Sequence, residues 1–373
     1  MDIINLGKFL KEKGEKPYRL KQIKKAVFVD LINNWDEATT VSKELREEFQ
    51  KTFPVSSLEK LNLLESKNKD SAKAVFKLED RNIIETVLMK HIRPARTPSL
   101  QSGDLAGQDD EGKAGRNTVC ISSQAGCAMS CGFCATGKMG LKRNLTSEEI
   151  VDQVLFFSRL IRHQGLSLDN PRTVLGGDKI INNVVFMGMG EPFLNYDNTI
   201  KAIRILNDKD GFNLGIRHIS ISTCGIAPGI ARFADENFQA NLAISLHAAD
   251  DKTRSKLMPI NDTYPLAVLM KAVDDYVKKT DRKVMFEYLL IDGVNDRPED
   301  ADNLAKLMKG SLYHVNLIKY HDTGGDFNPS PQAKRTHFFD ALKKLGVSVT
   351  FRVSFGEDIL AACGQLAGKM GMK

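Results

Sequence analysis

The segment Cys127-Ala-Met-Ser-Cys131-Gly-Phe-Cys134 closes the first of a series of alternating strand-like and helix-like runs. Its CxxxCxxC spacing puts three thiols on one loop, where they can converge on one face of a metal group. Thiolate ligands suit soft iron–sulfur sites. A 4Fe–4S cluster with only three protein ligands keeps one iron open, and an open position is what a substrate-binding metal needs. The structural alternative is zinc, which normally takes four ligands at paired CxxC spacing. No second pair lies nearby, and the next histidine, His163, falls within a helix-like run. Cys120 joins these three, so four of the six cysteines lie within fifteen residues. In a long chain that density points to metal or redox chemistry rather than a disulfide framework.

Downstream and upstream of this loop the pattern is regular. Strand-like runs fall at 117–123, 182–188, 217–223, 240–246, 283–291, 313–319 and 347–353. Helix-like stretches separate them at 146–164, 197–207, 227–237, 264–279, 299–309 and 332–345. Such alternation predicts an α/β fold of parallel strands joined by right-handed crossovers. An open doubly wound sheet and a full or partial barrel both satisfy it, and either puts functional residues at the carboxyl ends of the strands. Residues 59–92 read as extended, with two strand-like runs around a charged turn. The polar stretch 93–116 reads as a long mobile loop, and a similar insert lies near 165–182. Residues 1–58 read as helical: Pro17 suits a first helical position, Leu20, Ile23, Val27 and Leu31 recur at helical spacing, and Ser42 precedes a second short helix through Leu45 and Phe49. The expected divisions are therefore 1–58, 59–116, 117–355 and 356–373.

With 373 residues, 42% hydrophobic and 27% charged, the chain can bury a substantial core. No apolar run approaches the roughly 18 residues of a membrane span. The opening MDIINLGKFLKEKGEK has no long apolar segment after a basic one, so no secretory signal is expected and a cytoplasmic location is the default. The net charge of +6 is mild, but Lys8, Lys11, Lys13, Lys16, Arg19, Lys21, Lys24 and Lys25 crowd one segment. That cluster reads either as a phosphate footprint or as a solvated helix surface.

The aromatic Phe133 before the last cysteine completes CxxxCxFC, and the sequence resembles the radical S-adenosylmethionine (SAM) superfamily. Further stretches resemble one group within it, the RNA adenine methyltransferases of the RlmN/Cfr family. They are Ile84-Glu85-Thr86-Val87, Cys120-Ile-Ser-Ser-Gln-Ala-Gly-Cys127, Met187-Gly-Met-Gly-Glu-Pro192, Ser220-Ile-Ser-Thr223, Ser245-Leu-His247, Arg254-Ser-Lys-Leu-Met-Pro-Ile260, His314-Val-Asn-Leu-Ile318 and Ala361-Ala-Cys-Gly-Gln-Leu366. They run in family order over nearly the whole chain.

The resemblance implies a partial (β/α)6 barrel with a small N-terminal helical accessory domain. It implies that Cys127, Cys131 and Cys134 hold a 4Fe–4S cluster, and that Gly190, Glu191, Ser222, Ser245, Leu246, His247 and Asn316 bind SAM. Two SAM molecules are implied per turnover. Cys363 takes a methyl group from the first, and the second yields a 5′-deoxyadenosyl radical that activates that methyl group for addition to adenine. Cys120 is then the second thiol, pairing transiently with Cys363 in a disulfide, while Glu85 or Cys120 takes the ring proton. Cys224 has no role in the resemblance and reads as core. The implied substrates are 23S rRNA and tRNA beside the anticodon, methylated at carbon 2. Gly190-Glu-Pro-Phe-Leu-Asn195 matches that branch, and carbon 8 is the second reading, toward which Val27-Phe28 and Phe355-Gly356 lean. An external one-electron donor such as flavodoxin, and a monomer, complete the expectation. The basic N-terminal segment, with Lys142 and Arg143, would grip RNA phosphates. Against an enzyme stands a binding protein that has lost its activity, although such a protein needs neither Cys120 nor Cys363.

Overall fold

The computed structural model describes residues 1–91, 115–164, 180–310 and 312–368. Most of the stretches read as a loop at 93–116 and an insert near 165–182 lie outside the described residues.

Ten strands form one sheet. Three antiparallel strands, β1 (Glu59–Glu65), β2 (Ser71–Lys77) and β3 (Ile83–His91), lead into β4 (Arg116–Cys120). From β4 onward every neighbour is parallel: β7 (Asn183–Phe186), β8 (Ile219–Thr223), β9 (Asn241–Ser245), β10 (Val284–Leu290), β11 (Tyr313–Lys319) and β12 (Val349–Phe351). The strand order follows the chain without reversal, so this sheet is wound in one direction and is not doubly wound. Right-handed crossovers all taken in one direction put the helices on one face. The crossovers carry α4 (Ser147–Gln164), α5 (Tyr196–Asn207), α6 (Ala227–Asp235), α7 (Asp251–Leu257) with α8 (Leu266–Thr280), α9 (Pro298–Leu307) and α10 (Gln332–Lys344). Six crossovers between seven parallel strands, with β1 and β12 left as free edges, make the partial (β/α)6 barrel that the resemblance implied.

The cysteine loop belongs to a separate small hairpin, β5 (Gln124–Gly126) with β6 (Leu141–Asn144), and not to the end of β4 itself. Gly126 has φ +74°, and a Cβ there would stand 1.9 Å from the Gly140 carbonyl oxygen. Only glycine lets the hairpin close at that point.

The N-terminal helices α1 (Ile3–Glu12), α2 (Tyr18–Lys24) and α3 (Lys43–Thr52) pack around Leu6, Ile23, Trp35 and Phe49, all fully buried. The Trp35 indole donates to the Phe53 carbonyl at 2.7 Å, which satisfies its one donor inside this small core. Ser42 caps α3 as its sequence predicts. The basic run is largely neutralised: Lys13 pairs with Glu48, Arg19 with Glu15, Lys24 with Asp208 and Lys25 with Asp30. The Lys24–Asp208 contact, at 2.5 Å, fastens α2 to the barrel loop after α5. The expected phosphate grip is thus reduced to the exposed remainder, among them Lys8, Lys11 and Lys16. Among the described residues no helix is long and apolar enough to cross a membrane.

Candidate active site

One cavity opens on the sheet face at the carboxyl ends of the parallel strands, and all six cysteines line it. They reach it from four directions. Cys120 ends β4, the β5–β6 loop brings Cys127, Cys131 and Cys134, Cys224 follows β8, and Cys363 comes from the C-terminal segment. Every one is a free thiol, so no disulfide joins Cys120 to Cys363 in this structure.

Burial dominates the thiols. It pushes Cys127 up to about 12 and holds Cys131 well above the ordinary range, with Cys134 adding to both. Thiols as resistant to ionisation as Cys127 and Cys131 become thiolates only when a positive group sits among them. Among the described residues no three His, Cys, Asp or Glu side chains stand close enough to hold a single ion. The three loop thiols instead share the wall of a larger space. That arrangement, with all-sulfur donors, fits a multi-iron cluster.

The loop is docked on both sides. Gly132 N donates to the Leu257 carbonyl at 2.9 Å, at the end of α7. Ala135 N donates to the Gly364 carbonyl at 2.8 Å, and Thr136 Oγ1 donates to the Leu366 carbonyl at 2.6 Å. Phe133 meets His247 edge to face, with centroids 4.7 Å apart. His247 Nδ1 accepts from Leu289 N at 3.1 Å, so its proton sits on the other nitrogen, and burial drops its pKa to about 3. The ring is therefore a neutral donor at the cavity wall.

Gly190, Glu191, Ser222 and Ser245 also line the cavity, as the resemblance implied for SAM ligands. Their geometry adds structural reasons. Gly190 has φ +99°, and a Cβ there would come within 2.5 Å of the Gln124 Cβ, so glycine serves packing against the hairpin. Glu191 is 4% exposed. Its two carboxylate oxygens accept from Phe193 N at 3.0 Å and Cys224 N at 2.7 Å, bracing the turn after β7 to the end of β8. Each oxygen keeps a further lone pair for a ligand donor. Ser222 and Ser245 face each other at 3.4 Å.

Three expected site residues do not line the cavity. Leu246 is fully buried core. Asn316 has protein partners of its own: its Nδ2 donates to Glu287 Oε1 at 3.0 Å and its Oδ1 accepts from Thr350 Oγ1 at 3.0 Å. Glu85, 1% exposed, lies 3.6 Å from Lys73 Nζ. Its backbone carbonyl accepts from Ser122 Oγ at 2.6 Å. Arg143 also departs from expectation. It is spent on Glu149, through two bonds of 2.7 and 2.8 Å, and on Asp80, so it offers nothing to RNA; Lys142 stays exposed.

Two charged residues passed over in the sequence do line the cavity: Glu287 on β10 and Arg352 just after β12. Arg352 Nη1 lies 3.5 Å from Glu287 Oε2 and 3.2 Å from Met187 Sδ. Burial pushes the Cys120 thiol up to about 12 and raises that of Cys363, while the Arg352 guanidinium pulls both back down. Cys363 is open to the cavity mouth yet surrounded by protein, so both influences reach it. A charged residue inside an otherwise apolar strand, as in Val284-Met-Phe-Glu287, was the available signal for Glu287. Arg352 carried none, because it follows an exposed edge strand.

The sequence profile of the Radical SAM superfamily matches residues 121–307, and that of the ribosomal RNA large subunit methyltransferase N-terminal domain matches residues 1–55. The chain is 40% identical to the ribosomal RNA large subunit methyltransferase N of Nitrosopumilus maritimus, covering 97% of this chain and 95% of that protein. It is 40% identical to a probable dual-specificity RNA methyltransferase RlmN of Chloroflexus aurantiacus, over 99% of this chain and 92% of that one. A crystal structure of a radical SAM methyltransferase from Sphaerobacter thermophilus superposes with a TM-score of 0.86 at 39% identity, covering 99% of this chain and 98% of the other. The chain belongs to the RlmN family of RNA methyltransferases within the radical SAM superfamily.

Proposed function

We propose that this enzyme methylates carbon 2 of an adenine in 23S rRNA, and of the adenine beside the anticodon in tRNA, through a methyl group carried on Cys363. The carrying observation is that Cys363 and Cys120 line one cavity together with Cys127, Cys131 and Cys134. The name dual-specificity RNA methyltransferase, borne by relatives such as that of Chloroflexus aurantiacus, supports the RNA range, and the GEPFLN motif supports carbon 2. The enzyme acts as a cytoplasmic monomer.

Cys127, Cys131 and Cys134 hold the 4Fe–4S cluster. Glu191, Ser222, Ser245 and His247 contact SAM from the wall, Gly190 makes room beside them, and Leu246 and Asn316 support them from behind. When bound, the cluster and SAM supply a one-electron cleavage that gives the 5′-deoxyadenosyl radical; the electron comes from a low-potential donor of the flavodoxin kind. The rest falls to the chain's own side chains. Cys363, as thiolate, displaces the methyl group of a first SAM, forming a sulfur–carbon bond while the sulfonium–methyl bond breaks. Arg352 favours that thiolate. A second SAM is consumed when a hydrogen atom leaves this methyl group, and the carbon radical on Cys363 adds to the electron-poor ring carbon. The ring proton then passes to a base. Cys120 lines the cavity and Glu85 does not, which favours Cys120 for this step. Cys120 bonds to the Cys363 sulfur as the bond to the methylene carbon breaks. The methylene takes a proton to become the methyl product, and the surplus electron of the transient disulfide would return to the oxidised cluster, the one-electron acceptor at hand.

The test is anaerobic reconstitution with iron and sulfide, followed by incubation with SAM, reductant and rRNA or tRNA. Mass spectrometry of the digested RNA should find 2-methyladenosine. Finding 8-methyladenosine instead would move the enzyme to the carbon-8 branch. Cys363→Ala should abolish RNA methylation while SAM cleavage continues, and Cys120→Ala should accumulate a covalent protein–RNA adduct.

A further inference from the structure

Arg254 on α7 is fully buried, and among the described residues no carboxylate stands within ion-pair distance of it. Its guanidinium spends its donors on uncharged acceptors. Nε reaches the Leu246 carbonyl at 3.2 Å and Nη1 reaches Asn261 Oδ1 at 2.8 Å. Nη2 reaches the carbonyls of Cys224 at 2.7 Å and Ser245 at 3.3 Å. This fork ties the ends of β8 and β9 together, a task that suits arginine's planar set of five donors. A brace alone does not account for the charge. Burying a cation is costly unless negative charge lies close by. Asp251 acts on the guanidinium from beyond ion-pair distance, its carboxylate oxygen accepting from Asn261 Nδ2 at 3.0 Å and Leu266 N at 2.8 Å.

The other candidates for that negative charge are sulfur. Cys224 and Ser245, whose carbonyls hold the guanidinium, both line the cavity shared by the three loop thiols. The same helix, α7, receives the cysteine loop through the 2.9 Å bond from Gly132 N to the Leu257 carbonyl.

We propose that Arg254 is the buried counter-charge of the thiolate-ligated group held by Cys127, Cys131 and Cys134, and that it sets that group's reduction potential. The inference rests on the reading of those thiols as cluster ligands and is independent of which adenine carbon is methylated. When one electron enters from the external low-potential donor, the cluster gains one negative charge. Arg254 keeps all its protons, and no bond to it forms or breaks. A fixed positive charge in a poorly polarisable interior stabilises that added electron and raises the midpoint potential. Arg254 is thus a positioning residue with an electrostatic task.

The experiment compares wild type with Arg254→Met, Arg254→Lys and Asn261→Asp, each reconstituted anaerobically. Midpoint potentials are read by spin-resonance-monitored redox titration, and folding by near-UV dichroism and thermal unfolding. Asn261→Asp leaves the arginine in place but gives it a carboxylate where its present acceptor stands. Arg254→Met and Asn261→Asp should both shift the midpoint to more negative values, with Arg254→Lys staying nearer wild type. If Arg254→Met fails to fold, Asn261→Asp and Arg254→Lys carry the comparison. An unchanged midpoint in Asn261→Asp overturns the proposal, even where stability falls. A shift that appears only once SAM is bound also overturns it, by assigning the charge to the SAM carboxylate. Iron and sulfide content of wild type separates the two readings: no cluster there removes both, whereas a normal cluster with unmoved variants removes only the role of Arg254.

Discussion

Thr136 and Leu366, 230 residues apart, are joined by a buried 2.6 Å hydrogen bond from the threonine hydroxyl to the leucine carbonyl. Thr136 stands two residues past Cys134 and Leu366 three residues past Cys363. The bond therefore couples the cysteine loop to the C-terminal segment that delivers the last thiol.

Thr136→Val should loosen that delivery. Leaving a buried carbonyl unpaired costs about 1–3 kcal/mol. SAM cleavage should persist while methyl transfer to RNA falls by about tenfold. The check is the ratio of 5′-deoxyadenosine to methylated adenosine, with hydrogen exchange at 361–367 as the structural readout.

Arg352→Met should slow the chemistry of the two mechanistic thiols. The guanidinium lowers both Cys120 and Cys363, so its removal raises both. Alkylation of Cys120 in metal-free protein, followed by mass spectrometry against pH, should move to higher pH. Arg352→Lys should restore much of the difference, and an unmoved profile would remove Arg352 from thiol activation.

His247 makes stability depend on acid. Its folded pKa of about 3 lies below the unfolded value near 6.5. Between these values the unfolded chain binds more protons, so the stabilisation is complete above about pH 6.5 and is lost as pH falls toward 3. By pH 5 the loss from this residue is on the order of 2 kcal/mol. His247→Gln can still accept from Leu289 N, and its unfolding curve should fall less steeply between pH 7 and 5 than that of wild type.

Gly190→Ala should destabilise the fold itself. The new Cβ would meet Gln124 at 2.5 Å, on a backbone with φ +99° that side chains avoid. Overpacking and the left-handed conformation together cost at least about 2 kcal/mol. Thermal unfolding of metal-free protein measures this, and an unchanged midpoint would mean that Gln124 yields freely.

The parallel core was legible because its periodicity is local. Each strand from β7 to β12 lies within or close to its predicted run, since buried strands and amphipathic crossover helices leave a pattern within a few residues. The N-terminal basic run was legible as charge but not as function. Lys24 and Asp208 lie 184 positions apart, and only their contact reveals that a lysine read for RNA serves as a fastener. Arg143 misled in the same way, since Asp80 and Glu149 are invisible as its partners in a linear reading. Asn316, implied as a SAM ligand, already has partners in the register Glu287–Asn316–Thr350 across three strands.

By itself the sequence determined the chemical kind of this protein. Three cysteines at CxxxCxxC spacing constrain one another through a loop of eight residues, and so short a segment has few ways to place its thiols. Tertiary structure alone decided which distant groups share their cavity: that Cys120 and Cys363 stand near Arg352, that Glu191 braces two strand ends, and that Arg254, held by uncharged acceptors, lies behind the wall. Electrostatics and burial depend on distance through space, and a chain coiled into a sheet of ten strands brings together residues whose separation along the sequence says nothing of that distance.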